Sequence, residues 1–369
     1  MDATQSIRAW LSACAGALAL VACGGGGDGM SGNGVSYAAT ILVSDVAGAA
    51  NPYGNAAHVD PNLVNAWGIA FNPQGFVWVA NAGTSMSTLY DGNGVPQSLV
   101  VSIPPGIVGE AKPTGIVFNA SPGFQVTQGG LTGPSAFIFV SEAGTVSGWA
   151  PNVNLNSAVQ VVDRAAAGSI YKGLAHATQG GADFLYATDF HNGVVDVFDS
   201  NFTKIATPGA FTDANLPAGY APFGIQAIGN QIYVSFAKQD AQAEDEVAGA
   251  GLGAVDVFDT SGVLVKRLIP VGGRLDAAWG LAMAPSNFGP FSGALLVANF
   301  GDGKINAFNA TTGTFLGTLS GSNGTAIAND GLWGIAFGNG INAQPSNTLF
   351  FTAGPVGETH GVYGRIDSR

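Results

Sequence analysis

A short phrase recurs six times along the chain and restricts its fold more than any other feature: an aromatic or small residue, then Gly, then an aliphatic residue, usually with Ala or Phe soon after. The copies are Trp67-Gly68-Ile69-Ala70-Phe71, Thr114-Gly115-Ile116-Val117-Phe118, Lys172-Gly173-Leu174-Ala175, Phe223-Gly224-Ile225, Trp279-Gly280-Leu281-Ala282 and Trp333-Gly334-Ile335-Ala336-Phe337. Successive glycines lie 47, 58, 51, 56 and 54 residues apart. Most copies are followed by a second apolar run, as at Phe76 to Ala80, Phe137 to Val140, Ile232 to Phe236, Leu295 to Ala298 and Leu349 to Thr352. A third run alternates, as a strand with one polar-leaning face does: Val195-Asp196-Val197-Phe198-Asp199 returns as Val255-Asp256-Val257-Phe258-Asp259 and more loosely as Ile305-Asn306-Ala307-Phe308-Asn309. Leu99 to Ile103, Leu264 to Leu268 and Phe315 to Leu319 supply a fourth.

Four strands in a repeat of about fifty residues make a propeller blade. The predicted fold is all-β: a six-bladed β-propeller of four-stranded antiparallel blades. Gly and small residues belong on the innermost strand, where blades crowd, and Trp and Phe in the wedge that widens between sheets. The sixth unit ends at its third strand, Gly361 to Ile366, while Ala39 to Val43 has no unit of its own. That N-terminal strand is expected to complete the last blade and pair its open edge. Composition agrees, because 56 Gly, 18 Pro, 10% charged and 47% hydrophobic residues suit short buried strands joined by tight turns and not a disordered chain.

Residues 1–22 read as a lipoprotein-type signal peptide, with Arg8 before an apolar run from Trp10 to Ala22 that is too short to span a bilayer. Leu20-Val21-Ala22-Cys23 looks like a bacterial lipobox, so Cys23 is the expected lipidation site and a membrane-held lipid an expected partner. Residues 23–36 form a Gly-rich linker and 37–369 the propeller domain. The cysteines are Cys14 and Cys23, so the mature chain holds no internal disulfide. Gly24 after the cysteine favours the outer membrane, and the expected location is the outer membrane or outside the cell. A net charge of −12 argues against nucleic acid and leaves a small molecule, a glycan or a protein as the partner.

In an up-and-down propeller the start of each first strand and each second-to-third-strand loop share one face, where ligands usually meet the channel. Asn81, Asp189 and Asn299 occupy one turn position there, with Glu142 read as its equivalent in blade two, and Lys112, Asp276 and Asp330 precede first strands. Lys112, Glu142, Asp189, Asp276 and Asp330 form the candidate ligand-binding funnel. Asp189, Asn81 and Asn299 also suit plain turn formation. The blade-four insertion from Lys238 to Gly251 carries Asp240, Glu244, Asp245 and Glu246, candidates for Ca2+ or another divalent cation, although their spacing is not that of an EF-hand. Glu358 and His360 lie close together in a blade-six loop, and His58, His176 and His191 are the remaining imidazoles.

No catalytic residue can be assigned: the chain lacks a His-Glu-x-x-His helix, a Gly-x-Ser-x-Gly elbow, a haem site and a phosphate loop. Several phrases are familiar, namely Phe236 to Asp240, Ala284 to Phe291, Ala298 to Gly303 and Phe351 to Pro355. Over nearly all of residues 37 to 367 the chain resembles a family of exported bacterial six-bladed propellers of NHL-like type, some of which carry PEP-CTERM sorting signals. The resemblance implies a fold and no reaction. The reading is an exported, lipid-anchored binding or interaction module. The alternative is a metal-dependent hydrolase or lyase resembling six-bladed lactonases, with a cation held by some of Glu142, Asp189, Asp276 and Asp330; a quinone-dependent sugar dehydrogenase is more distant.

Overall fold

The computed structural model describes residues 36–48 and 55–369; the expected signal peptide, Cys23 and most of the expected linker lie outside them. The described chain folds as the six-bladed propeller. Its first strands are Ala66–Phe71, Pro113–Phe118, Tyr171–Gln179, Tyr220–Ile228, Ala278–Met283 and Leu332–Phe337. They contact one another in sequence and line the axis, with each blade's later strands stacked outward in antiparallel order.

Each repeat glycine is dictated by its neighbour. A Cβ on Gly68 would lie 2.3 Å from the Thr114 carbonyl oxygen, one on Gly224 1.9 Å from that of Trp279, and one on Gly280 2.5 Å from that of Trp333. Around the seam, a Cβ on Gly334 would lie 2.6 Å from the Trp67 oxygen. The blades therefore meet backbone to backbone. Hydroxyls on three second strands stitch the same seam: the Gly173 N–H donates to Thr188 Oγ1 (2.7 Å), which donates to the Phe223 carbonyl of the next blade (2.7 Å). Ser235 links Gly224 to Ala278 in this way, and Thr352 links Gly334 to Trp67.

The last blade closes as expected. Tyr37–Ser44 pairs antiparallel with Val362–Ser368, from Tyr37 opposite Ser368 to Ser44 opposite Val362. Tyr37 also donates to the Phe288 carbonyl (2.8 Å) and stacks on Phe291, which pins the strand to blade five. Two features go beyond the expectation. His58–Val59 adds a short parallel fifth strand to blade six. Blade two carries an extra hairpin, Gln125–Gln128 with Leu131–Pro134, turning through Gly129 and Gly130 at positive φ. The longest glycine spacing, 58 residues, contains that hairpin.

Two expectations about packing change. Trp78 does fill a wedge, 4.1 Å from Phe137 and 4.6 Å from Trp149 of the next blade. The repeat tryptophans Trp67, Trp279 and Trp333 instead gather on the axis with Phe190, Phe223 and Phe300, and Trp67 and Trp333 stack at 3.7 Å. The third strands, expected to show a polar face, bury their alternate aspartates. Asp196 accepts from the Tyr171 hydroxyl (2.8 Å) and pairs with Lys204 (2.5 Å) and Arg164 (3.4 Å). Asp256 lies 3.7 Å from Arg267, which also pairs with Asp213.

Burial, reinforced by the Asp213 charge, pushes the Asp256 carboxyl up to about 7. The folded state therefore keeps a proton that the unfolded chain releases above about pH 4, so Asp256 makes the fold lose stability as pH rises from about 4 to 7. Asp256→Asn is expected to flatten this slope by a few degrees in thermal midpoint across that window. Parallel slopes for the two proteins would contradict the assignment.

Candidate functional site

The sequence places charged residues on the face where first strands begin, and the structure brings three of them, Glu142, Asp245 and Glu246, to a lysine that was not singled out. Lys172 precedes the repeat glycine of blade three, the position that holds Trp67, Thr114, Phe223, Trp279 and Trp333 in the other blades. Its side chain follows theirs to the axis and is wholly buried. The ammonium donates to Glu142 Oε1 (2.5 Å) and Asp245 Oδ1 (3.0 Å) and sits 5.1 Å from the centre of the Trp67 ring. Burial works against this charge, but Glu142, Glu246 and Asp245 together outweigh it and hold the ammonium above its ordinary pKa. Glu246, beside it, is pushed up by burial to about 8 despite the pull of Lys172. Glu358 is raised by burial and by the Glu142 charge, and it accepts from the Trp67 indole (3.2 Å), which also donates to Asn65 (2.9 Å).

Strand register explains how Glu142 reaches the axis. The turn position opposite Ala66, Tyr171 and Ala278 is filled by Asn81, Asp189 and Asn299, and opposite Pro113 it is filled by Ser141. Ser141 is thus the blade-two equivalent, correcting the reading that put Glu142 there. Glu142 falls one residue later, level with Ala82, Phe190 and Phe300 of the axial cluster. Asp189 makes its turn as expected, accepting from the Ile170 and Asn192 N–H groups.

The other candidates hold loops. Asp276 accepts from the Gly249 N–H (2.6 Å) and so ties down the acidic insertion, with burial raising its pKa. Asp330 accepts from the Val356 N–H (2.8 Å) and anchors the loop that carries Glu358. Lys112 adopts a left-handed φ of 49°, as do Asn65, Ala277 and Gly331 three residues before their own repeat glycines, and its ammonium lies 3.9 Å from Glu142 Oε2. His360 hydrogen-bonds Asp45 (2.8 Å), joining the last blade to the end of the closing strand.

The four acidic residues of the insertion do not converge. Asp240 accepts from the Glu244 N–H (2.9 Å) and shapes the loop, Asp245 and Glu246 turn to Lys172, and Glu244 is exposed. Among the described residues no group of three or more His, Cys, Asp or Glu side chains is placed to hold a metal ion. Of the candidate carboxylates, Glu142 and Asp245 are taken by the Lys172 ammonium, while Asp189, Asp240, Asp276 and Asp330 are engaged by loop N–H groups.

Beside Lys172 the same face opens into a cleft of about 360 Å³ over blades two and three, lined by Lys112, Glu142, Ser169, His191, Glu244 and Asp245. At the far end of the axis a funnel of about 440 Å³ is walled by Phe71, Phe118, Met283 and Phe337, with His176 and Gln226 as its polar residues.

Comparison with known proteins places this architecture. An uncharacterized protein of Acanthamoeba polyphaga mimivirus is 35% identical over 327 residues, covering 86% of this chain and 78% of the viral protein. A second from the same virus is 34% identical over 321 residues, 84% of this chain and 82% of its own length. The chain belongs to their family. The relatives found are thus viral, where the sequence resemblance implied exported bacterial proteins. No protein-family model matches the chain. Among solved structures, a Bacteroides thetaiotaomicron protein of unknown function superposes with a TM-score of 0.56 at 10% identity, covering 91% of this chain and 76% of that one. At that identity the likeness speaks for the fold this family shares and for nothing finer.

Proposed function

We propose that the chain is a binding module without catalytic chemistry of its own, exported and held to a membrane through a lipid on Cys23. The observation that carries the first part is the pairing at the axis. A general acid or base must exchange its proton with a reacting group. Lys172 is sealed beneath the loops with its ammonium bonded to Glu142 and Asp245, and Asp276 and Asp330 are engaged by loop N–H groups. The acidic insertion of blade four and the loop carrying Glu358 lie on the face where first strands begin, the arrangement in which a scaffold presents binding loops. The export part rests on the apolar run from Trp10 to Ala22 and the lipobox-like Leu20 to Cys23.

Two measurements test the two parts. The full chain made in a bacterium is expected to incorporate labelled palmitate and to sediment with membranes, and Cys23→Ser is expected to abolish both; unlabelled, soluble wild type would overturn the anchor. Incubation with lactone and glycoside panels, with and without divalent cations, is expected to give no turnover. Sustained cation-dependent turnover would replace the binding reading with the hydrolase or lyase reading.

A further inference from the structure

The two faces of the propeller differ in charge, and the chain enters on one of them. The face where first strands begin also carries the loops between second and third strands, while the turns that follow first and third strands lie on the opposite face. All five glutamates, Glu110, Glu142, Glu244, Glu246 and Glu358, stand on the former. On the opposite face Asp91, Asp199 and Asp259 accept from backbone N–H groups of their own turns, Asp367 pairs with Arg365, and Arg369 adds an exposed cation. That face is much the less acidic. It is also where the chain joins the ring: Tyr37 lies opposite Ser368, at the foot of the last third strand, and stacks on Phe291 in the turn after the first strand of blade five. Apolar side chains stand out at its turn tips, with Leu131 55%, Leu155 53% and Val263 62% exposed, and a 2.8 Å bond from Asn154 to Gln128 ties the two blade-two turns together. The funnel walled by Phe71, Phe118, Met283 and Phe337 opens at its centre. Ile107 and Val108 are exposed on the acidic face, close to Glu110, so apolar tips alone do not choose between the faces; the entry point and the charge do.

We infer that the less acidic face rests on a lipid bilayer, with Leu131, Leu155 and Val263 among the headgroups and the acidic loops turned away. Residues 23–36 reach at most about 50 Å at full stretch, so a lipid on Cys23 holds the face that Tyr37 enters nearest the membrane. Apolar area buried at the headgroup boundary favours contact, and the negative potential of anionic lipids repels the glutamate-bearing loops. The inference rests on the anchored part of the reading above and adds the orientation in which the anchor holds the ring, leaving the loop face free for a partner.

The test uses the full chain reconstituted through its lipid into vesicles of phosphatidylethanolamine and phosphatidylglycerol, with amide hydrogen exchange compared against the Cys23→Ser chain in solution. Exchange is expected to slow roughly threefold or more at residues 129–132, 154–156 and 261–263, and to stay unchanged at 105–110 and 240–250. Leu131→Asp combined with Leu155→Asp should abolish the slowing in blade two while the protein stays on the vesicles. Both positions are exposed, so the thermal midpoint should not move. Slowing at 105–110 or 240–250 instead, slowing nowhere, or slowing unmoved in the double variant overturns the inference. If the chain proves to carry no lipid, the anchored reading fails by itself. The Cys14→Ser chain, coupled through the Cys23 thiol to a maleimide-bearing lipid in the same vesicles, then puts the face to the same test with the same outcomes.

Discussion

Lys172→Met is expected to destabilise the propeller by roughly 3–5 kcal/mol near pH 8, the cost of removing one partner from a buried ion pair. The lost ammonium leaves Glu142 and Glu246 facing each other beneath the loops, since the exposed Asp245 can turn to water. The penalty should shrink as pH falls, because protonating Glu246 removes one of the two uncompensated charges, and burial already holds its carboxyl at about 8 with the lysine present. Urea unfolding of both proteins at pH 5 and pH 8 gives the comparison. Glu142→Gln added to Lys172→Met should restore part of the stability at pH 8 and little at pH 5. A loss equal at both pH values, with no restoration, would mean that Lys172 acts through packing on Trp67 and not through charge.

Removal of residues 36–44 from the otherwise complete chain is expected to have the next largest effect. The strand buries Tyr37, Leu42 and Val43, each worth roughly 1.5–3 kcal/mol, so the loss is about 5 kcal/mol or more and the fall in midpoint on the order of 10 °C. It also bares the hydrogen-bonding edge of Val362–Ser368, a template for pairing with other chains. The shortened protein should therefore associate, as size-exclusion chromatography would show, and a synthetic peptide spanning residues 36–48 should return part of it to the monomer. A monomeric shortened protein with an unchanged midpoint would mean that the ring does not depend on this closure.

The fold was legible because its constraint is local and repeated. Each repeat glycine must approach the backbone of the next blade, so the same residue recurs wherever a first strand passes the axis. The closing strand was legible by subtraction, from a final blade one strand short. The centre of the site was harder to read, although one signal was available: Lys172 is the only charged residue at a position otherwise held by Trp, Phe or Thr. Its partners were not locally marked. Asp245 lies 73 residues away and arrives on a loop from blade four, while Glu142 arrives by a one-residue register that a charge-led alignment misplaces onto Ser141. The buried Asp196 and Asp256 looked like one side of an ordinary alternating strand because their cationic partners, Arg164, Lys204 and Arg267, are supplied by other segments.

Pairing Tyr37–Ser44 with Val362–Ser368 also orders events in time. Blades one to five can be built from strands that follow one another closely in the chain, but the seam joins positions more than three hundred residues apart. The earliest strand made must wait, unpaired, until the latest has emerged, so ring closure is the slow, non-local step of folding and cannot happen on an incomplete chain. A chain threaded unfolded across a membrane would have to cross before that step, since a shut ring cannot be threaded.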